Sequence, residues 1–238
     1  MQRLDSVDST NSWALEQGDD LPHGTLVLAR EQTGGRGTQG RRWSSPRDEG
    51  VWASLVLVPP TPLVSPAALS IALGLAVHAA TESFGLEPVL KWPNDVLIAG
   101  AKLAGLLVER RGTGPFVCGL GWNVTTRRFP AELEAERAVT SLVRAGAEVD
   151  VQVAERALVR ELGRWVPRAW SEPESLLAPY LAASGFRLGD AVRVLGPEDE
   201  QLEGSLQGFG FREGVVISTP ARTSSLALEH CRGLTKRP

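Results

Sequence analysis

Apolar residues recur along the chain with two spacings, one typical of helices and the other of strands. A helical spacing over residues 66–84, after a Ser-Pro pair and before Gly85, predicts a long buried helix. A second amphipathic helix is predicted to begin after Asp150, a residue type that suits a helix N-cap. A short helix is predicted over residues 9–18, with Ser or Thr as its cap and Gly18 as its end.

Short apolar runs bounded by turn residues predict the strands. In the first half, single strands are predicted over 25–29, 51–58 and 116–121. The segment 88–109 is predicted to contain three strands joined by two turns, the second of them a tight turn at Ala99-Gly100. After Gly185 the pattern changes to short strand-like runs separated by Gly, Pro and acidic turns: 191–195, 202–206, 215–218 and 225–228. We therefore predict an α+β fold with a mixed or mainly antiparallel sheet flanked by helices, in a domain over 1–185. A small all-β domain would follow over 186–238, and the nearest approach to a linker is 167–179.

One stretch, residues 51–81, lacks Asp, Glu, Lys and Arg and could be mistaken for a membrane span. It contains four prolines, and the helix that could follow them is too short, so a buried core helix is the interpretation. The N-terminus has no apolar signal core. A cytoplasmic protein without a membrane partner is predicted.

Composition excludes several classes of protein. The 238 residues carry 25 basic and 28 acidic side chains, a net charge of −3, so no global field favours nucleic acid. Cys118 and Cys231 lie far apart and the histidines are scattered, so neither a disulfide framework nor a zinc site is indicated.

Only three of the basic residues are lysines, Lys91, Lys102 and Lys236, which suggests that the first two occupy sites where geometry matters. Lys236 falls in a segment that we predict to be a frayed tail.

A glycine-rich loop follows residue 32 and matches GxGxxG at residues 35–40. A dinucleotide fingerprint needs a helix after the glycines, whereas a Pro-ended polar loop and a strand follow here. A P-loop is excluded because Arg41-Arg42 stands where Lys-Ser/Thr must be. What remains is a loop with Arg36, Arg41 and Arg42 and no acid among them, which favours binding of phosphate or carboxylate. The alternative is a solvated turn whose arginines pair with Glu31, Asp48 and Glu49.

A second constellation sets charged groups around a proline-fixed turn, KWPND at residues 91–95. If the Ala99-Gly100 turn forms a hairpin, Lys102 returns close to Asn94 and Asp95. A lysine there could neutralise charge on a phosphoryl group during transfer. The alternative is a surface hairpin with an incidental Lys–Asp pair.

Together these segments resemble biotin protein ligase, the enzyme that attaches biotin to carboxylase carrier domains. Five motifs carry the resemblance, in order: DSTN at 8–11, QTGGRGTQGRRW at 32–43, KWPND at 91–95, KLAGLLVE at 102–109 and GLGWNV at 119–124. The segment 186–238 also resembles that family's small SH3-like C-terminal domain. The resemblance implies activation of biotin by ATP to biotinyl-5'-AMP, with release of pyrophosphate. Transfer to a carrier lysine would follow.

The resemblance also implies roles for individual residues, residue by residue. Those expected to act in catalysis are Lys102, Arg41 and Asp95. Those expected to bind biotin are Ser9, Thr10, Asn11, Gln32, Gly35, Arg36, Gly37, Thr38, Lys102 and Gly105. Those expected to bind ATP or the adenylate are Arg36, Arg41, Trp43, Lys91, Asn94, Lys102 and Asn123. ATP and biotin are substrates, Mg²⁺ is expected, and its ligands are not identified.

Two departures from the family pattern stand out. The family often has GRGRxGRxW, and Thr38 occupies the second arginine position, so either another cation substitutes or the adenylate is retained less tightly. Trp122 stands where an aliphatic residue is more common and could reshape the adenine end of the site. The loop's glycine content predicts a mobile lid.

The implied partner is the biotin carboxyl carrier domain of a carboxylase such as acetyl-CoA carboxylase, and a homodimer is a further expectation. The motifs begin at residue 9 without a preceding helix-turn-helix module, so no DNA partner is expected. Two other functions stay open. A lipoate or octanoate ligase would share the fold, but a Gly-Gly-Gly run with a following histidine is lacking at 32–43. A non-catalytic biotin sensor would keep the pocket without the chemistry.

Overall fold

A computed structural model describes residues 1–237, apart from the side chain of residue 199. Seven strands form the larger sheet: β1 (Gln2–Val7), β2 (Leu26–Gln32), β3 (Gly50–Leu57), β4 (Pro88–Lys91), β5 (Asp95–Ile98), β6 (Ala101–Arg110) and β7 (Phe116–Asn123). The described residues form six α-helices: α1 (Thr10–Gln17), α2 (Ala67–Glu82), α3 (Ala131–Glu136), α4 (Val151–Trp165), α5 (Arg168–Ser171) and α6 (Leu177–Ser184). Five strands form a second sheet: β8 (Ala191–Leu195), β9 (Gln201–Gly210), β10 (Gly214–Ser218), β11 (Thr223–Leu226) and β12 (Gly233–Lys236).

The larger sheet has the strand order β1-β2-β3-β7-β6-β5-β4. β1 and β2 pair in parallel, and the other neighbours pair antiparallel, so the sheet is mixed as predicted. The whole of β3 is buried, because helices cover both faces of the sheet at its centre. Val27, Val56 and Val117 pack with α1 on one face. The alternate residues of the same strands pack with α2 and α4 on the other face.

Both long helices begin close to the predicted positions, and α2 also ends close to its predicted end. In α2, the Ser65 hydroxyl accepts a hydrogen bond from the backbone N–H of Ala67 at 3.1 Å. In α4, the Asp150 carboxylate accepts from the backbone N–H of Val153 at 2.7 Å, as an N-cap should. α2 is the core helix expected from the uncharged stretch. Within the described residues, no helix is both long and apolar enough to cross a membrane.

The C-terminal segment forms a five-stranded antiparallel sheet, which confirms the predicted α+β class. The prediction of a frayed tail was wrong: Lys236 ends β12, and its ammonium lies 2.8 Å from the Asp190 carboxylate. The segment 167–179, the nearest approach to a linker in the sequence, contains α5 and part of α6, and Leu176 within it is fully buried. The domain boundary at 185/186 stays a prediction.

The two sheets meet around Trp92, which precedes the predicted Asn94-Asp95 turn. Its indole Nε1 donates to the backbone carbonyl of Cys231 at 2.6 Å. Its ring packs edge-on against Tyr180 of α6 and Phe209 of β9, with centroids 5.8 and 5.6 Å away. Both cysteines of the chain are free and buried, and burial raises the pKa of each thiol to about 12. The C-terminal segment therefore contacts Trp92, in the turn between β4 and β5 that leads to Asp95.

Candidate active site

A cavity lies on the α1 face of the larger sheet, over the middle of β3, β6 and β7. We call it the inner cavity; its walls are the start of α1, the glycine-rich loop and the strand residues that face them. The loop and helix residues lining it are Ser9, Thr10, Asn11, Gln32, Arg36, Gly37, Thr38 and Trp43. The sheet side contributes Ala53, Asn94, Lys102, Gly105, Leu106, Leu107, Gly119, Leu120 and Gly121. Most residues predicted to bind biotin are thus brought together.

The polar end of the inner cavity is built from the first turn of α1. Ser9, Thr10 and Asn11 are all buried, each 3% exposed. Ser9 is the N-cap of the helix, and its hydroxyl accepts from the backbone N–H of Ser12 at 3.4 Å. The side-chain carbonyl of Gln32 accepts from the backbone N–H of Thr10 at 2.9 Å, and its amide donates to the Ser45 hydroxyl at 2.7 Å.

The glycine-rich loop closes over this cavity as a narrow hairpin. Backbone N–H groups of Gly37 and Trp43 donate to the carbonyls of Arg41 and Gly35 at 2.7 and 2.8 Å. A strand follows the loop instead of an α-helix, which confirms the rejection of the dinucleotide fingerprint. The inner cavity encloses about 40 Å³, room for a few water molecules, so a larger ligand requires the loop to move outward.

Trp43 lies across two glycines that pair with each other on adjacent strands, Gly105 of β6 and Gly121 of β7. A Cβ atom added at Gly121 would lie 2.4 Å from the indole of Trp43, and one at Gly105 would lie 2.8 Å away. Only glycine at these positions lets the indole lie flat on the sheet. The Trp43 Nε1 is buried without a hydrogen-bond partner among the described residues, so it is available to donate to a ligand.

Lys102 and Asp95 form an ion pair at the base of the loop, with Nζ 2.6 Å from Oδ1. The Ala99-Gly100 turn has positive φ at both residues and brings β5 and β6 together, which confirms the predicted hairpin. Burial lowers the pKa of Lys102 below that of a free lysine, and the Asp95 carboxylate opposes the shift. The ammonium also lies 5.3 Å from the centre of the Trp43 ring, within range of a cation–π interaction.

A second space adjoins the inner cavity on the far side of Trp43. This side cavity is lined by Arg42, Trp43, Ser44, Lys102, Asn123, Phe129, Leu133, Arg137 and Val139. It continues into an outer cleft of about 660 Å³ that includes Arg41, Arg42 and Arg137. Trp43 and Lys102 line both the inner and the side cavity. The Asn123 amide donates to the carbonyl of Thr140 at 3.0 Å, which fixes its orientation beside the side cavity.

Some predicted residues lie elsewhere than the two cavities. Lys91 is exposed at the end of β4, outside the residues that line them, and its predicted role in ATP binding stays a prediction. Asn94 faces the inner cavity, where its amide donates to the carbonyl of Leu106 at 3.1 Å. Gly35 lies buried behind the wall, against Trp43 and Ser45.

The expectation that Trp122 reshapes the adenine end was wrong. Successive side chains of a strand point to opposite faces, so Trp122 faces away from its neighbours Gly121 and Asn123. Its side chain is fully buried in the core and lies 6.4 Å, centre to centre, from the ring of Phe84. A tryptophan in place of the more common aliphatic residue at position 122 therefore affects the packing of the core on the α2 face.

The loop arginines have varied partners. Arg36 forms an ion pair with Glu109 of β6 at 2.6 Å, and Arg41 donates to the carbonyl and hydroxyl of Thr38 at 3.3 and 3.1 Å. Glu31 and Asp48, two acids proposed as partners in the alternative of a solvated turn, pair instead with Arg47 and Arg30. Arg41 and Arg42 both line the outer cleft, where they could contact an anion.

The described side chains do not form a cluster that could hold a metal ion without further ligands. No group of three or more His, Cys, Asp or Glu residues that could hold a metal occurs within residues 1–237 as described. Asp95 is the carboxylate that lies next to Lys102, and it already neutralises that ammonium. Since Mg²⁺ is usually bound by one or two carboxylates together with substrate phosphates, a cation would depend on the nucleotide for its ligands.

Three residues of the site were missed by sequence reasoning. Ser54 is the one polar side chain in the buried strand β3, and that isolation was a usable signal. Glu109 closes the KLAGLLVE motif, but nothing in the sequence connects it with Arg36 or Asn11. Arg137 lies in a segment without periodicity, so its place beside Lys102 had no sequence signal.

Comparison with known proteins gives a consistent assignment. Residues 3–123 match the Biotin/lipoate A/B protein ligase family. The Bifunctional ligase/repressor BirA of Bacillus subtilis is 38% identical over 152 residues; the match covers 60% of this chain and 46% of BirA, so the chain spans about half of that relative's length. The Biotin--[acetyl-CoA-carboxylase] ligase of Mycobacterium tuberculosis is 36% identical, with 93% of this chain and 85% of the relative covered.

A solved structure supports the same grouping over nearly the whole chain. The biotin protein ligase of Aquifex aeolicus, in complex with biotin and ATP, superimposes with a TM-score of 0.82 and 26% sequence identity. The superposition covers 99% of this chain and 98% of the Aquifex chain. The chain therefore belongs to the Biotin/lipoate A/B protein ligase family and, within it, groups with the biotin protein ligases.

Proposed function

We propose that this chain is a biotin–[biotin carboxyl-carrier protein] ligase, which joins biotin to a carrier lysine at the expense of ATP. The observation that carries the proposal is the position of Lys102. Its side chain lines the inner cavity and the side cavity at once. Biotin in the first and ATP in the second would bring a carboxylate and an α-phosphate to the same ammonium. Relatives of similar extent are biotin–[acetyl-CoA-carboxylase] ligases, which supports biotin over lipoate as the substrate.

In the first step a carboxylate oxygen of biotin attacks the α-phosphorus of ATP. The bond between that phosphorus and the bridging oxygen breaks, and pyrophosphate leaves with the electron pair. Both reactants are anionic, so the main obstacle is their repulsion. Lys102 would neutralise charge on the two reacting groups, and its partial burial strengthens that interaction. Arg41 and Arg42 in the outer cleft would hold the phosphates that leave.

Arg137 is our candidate for the cation that compensates for Thr38. It lines the side cavity and the outer cleft and contacts Glu136 of α3. Its positive charge lies close enough to Lys102 to help lower the pKa of that lysine by electrostatic repulsion. Thr38 stands where the family often has an arginine, and two consequences were considered: another cation takes that role, or the adenylate is held less tightly. The position of Arg137 favours the first.

In the second step the amine of a carrier lysine attacks the acyl carbon of the mixed anhydride. An amide forms, the bond between the acyl carbon and the phosphate oxygen breaks, AMP leaves with the electron pair, and the amine releases its proton to solvent. Asp95 is the nearby carboxylate, and we propose that it orients Lys102 and can accept a hydrogen bond from the incoming amine. The loop over residues 32–43 would exclude water, which would otherwise hydrolyse the anhydride.

The decisive experiment is biotin-dependent exchange of labelled pyrophosphate into ATP by the purified chain. We expect exchange with biotin, none with lipoate in its place, and loss of exchange in Lys102→Ala. Exchange with lipoate would favour a lipoate-type ligase. Biotin binding without exchange would favour the sensor and overturn the proposal. The carrier protein, a homodimer, a requirement for Mg²⁺ and a cytoplasmic location remain predictions.

A further inference from the structure

A chain of hydrogen bonds runs along the polar wall of the inner cavity, and both of its ends lie in the segment that carries the glycine-rich loop. Its members are contributed by the loop, α1, β2, β3 and β6. In order they are Ser45, Gln32, Thr10, Ser54, Asn11, Glu109 and Arg36. Among these seven side chains, Glu109 is the one that carries a carboxylate. It does not line the cavity itself.

The orientation of the Asn11 amide follows from its neighbours. Its Nδ2 lies 2.9 Å from a carboxylate oxygen of Glu109 and 3.1 Å from the carbonyl of Leu107. Both neighbours only accept hydrogen bonds, so the NH₂ group must face them and Oδ1 must face Ser54. A Cβ at Gly119 would lie 2.7 Å from Oδ1, which shows how closely Asn11 packs on β7.

This orientation fixes the direction of the next hydrogen bonds. The Ser54 hydroxyl lies 2.5 Å from Asn11 Oδ1, which cannot donate, so the single proton of Ser54 points to Asn11. Ser54 can then only accept from the Thr10 hydroxyl, 2.7 Å away. The Gln32 side-chain carbonyl, 3.1 Å from the Thr10 hydroxyl, is the other acceptor within reach of that proton, and the shorter distance favours Ser54. With either acceptor, Thr10 uses its proton within the wall. Its free lone pairs are left to accept a hydrogen bond from a group in the inner cavity.

We infer that Glu109 is a positioning residue that makes Thr10 an acceptor for a ligand bearing N–H groups, such as the ureido ring of biotin. The inference rests on the proposed function and adds to it the choice of ligand. The same carboxylate holds Arg36 of the loop at 2.6 Å. Glu109 therefore serves both the wall that recognises the ligand and the loop that covers it, although it contacts no ligand.

The test measures the Kd of biotin and the Kd of ATP separately by calorimetry for the full chain. We expect Glu109→Ala to weaken biotin binding at least about 10-fold, because a hydrogen bond to a charged group is lost and Asn11 is freed to turn. Glu109→Gln retains one acceptor oxygen without the charge and should have an intermediate effect. ATP affinity should stay within about twofold of wild type. The control is Glu155→Ala, which removes a carboxylate that pairs with Arg3 outside the cavity.

A double-variant cycle tests whether Glu109 acts on Thr10 through Ser54. If Glu109 acts through Ser54, Glu109→Ala should add little to the effect of Ser54→Ala on biotin affinity. Full additivity, or a biotin Kd in Glu109→Ala within twofold of wild type, would overturn the inference. So would equal losses of biotin and ATP affinity. If Glu109→Ala does not fold, Glu109→Gln decides on the same criteria. Wild-type protein that fails to bind biotin would overturn the proposed function together with this inference.

Discussion

The Lys102 ammonium lies 2.6 Å from the Asp95 carboxylate, and both side chains are mostly buried, at 12% and 19% exposed. The pair spans the β5–β6 hairpin at the point where the two cavities meet. Asp95 keeps a desolvated cation in place before any anion arrives. The arrangement allows incoming anions to share the charge of Lys102 without a change in its position, which is what a preorganised site requires.

Lys102→Ala should lower biotin-dependent pyrophosphate exchange by about 100-fold or more, the usual effect of removing a group that stabilises transition-state charge. Lys102→Arg should not restore the rate, because a planar fork cannot replace a point charge beside Trp43. Lys236→Ala, in the distant C-terminal strand, is the matched control and should retain exchange. Exchange in Lys102→Ala within tenfold of wild type would contradict the role of this lysine.

The pH dependence of exchange should have an alkaline limb set by Lys102. Burial lowers its pKa, so the ammonium loses its proton, and the rate falls, at a lower pH than for a free lysine. Asp95 raises the pKa of Lys102, so Asp95→Asn should move the limb to lower pH, whatever it does to the maximum rate. Profiles of kcat/KM against pH, which report groups of the free enzyme, test this. A limb that stays in place or moves to higher pH in Asp95→Asn would exclude the assignment to Lys102.

Gly121→Ala should weaken biotin and ATP binding together, because the added Cβ would lie 2.4 Å from the Trp43 indole, which separates the two cavities. Overpacking of this kind typically costs about 1–3 kcal/mol. Calorimetric Kd values for both ligands provide the measurement. Gly163→Ala is the control: its site on α4 has no atom within 4 Å of the added Cβ, so we expect unchanged binding and roughly 0.5–1 kcal/mol of added stability. A loss confined to one ligand would argue against a shared wall.

The long helices and most strands could be predicted because their apolar periodicity is strong and their ends carry clear signals. The errors have physical reasons. β1 was missed because it is an edge strand with mostly exposed residues, so it lacks a buried face to create a pattern. The segment 167–179 comes nearest to a linker in the sequence because it contains three prolines. Pro167 and Pro179 instead lie at the start of short helices, where the missing N–H costs nothing.

The candidate site was predictable only as far as its residues lie in contiguous motifs. Lys102 could be found because lysine is rare in this chain and because a two-residue turn returns it to Asp95. The link from Glu109 to Arg36 spans 73 positions and depends on how the loop folds over β6. The position of Arg137 depends on Val139, which forms a bridge with Lys102 on the edge of the site. Contacts of that kind follow from tertiary structure, which the sequence pattern alone does not specify.

Arg137→Gln should raise the KM for ATP about tenfold and leave the Kd of biotin unchanged. A charge-assisted hydrogen bond to a phosphate contributes about 1.5–3 kcal/mol, and Arg137 lines the side cavity but not the inner one. The same change should move the alkaline limb to higher pH, because Arg137 lowers the pKa of Lys102. Steady-state exchange kinetics measure both effects. Arg156→Gln, on the exposed face of α4, should change neither quantity, and equal effects of the two variants would refute a specific role for Arg137.

Trp92→Phe should lower both stability and activity, because Trp92 connects the C-terminal sheet to the turn that carries Asp95. The variant loses the hydrogen bond to Cys231 and leaves a buried carbonyl without its partner, a cost of about 1–3 kcal/mol. Trp165→Phe is the matched control, since the Trp165 Nε1 has no hydrogen-bond partner to lose within the described structure. Thermal unfolding and pyrophosphate exchange, the latter well below the melting temperature, separate the two effects. A destabilised Trp92→Phe with wild-type exchange would mean that the C-terminal sheet supports the fold without positioning the site.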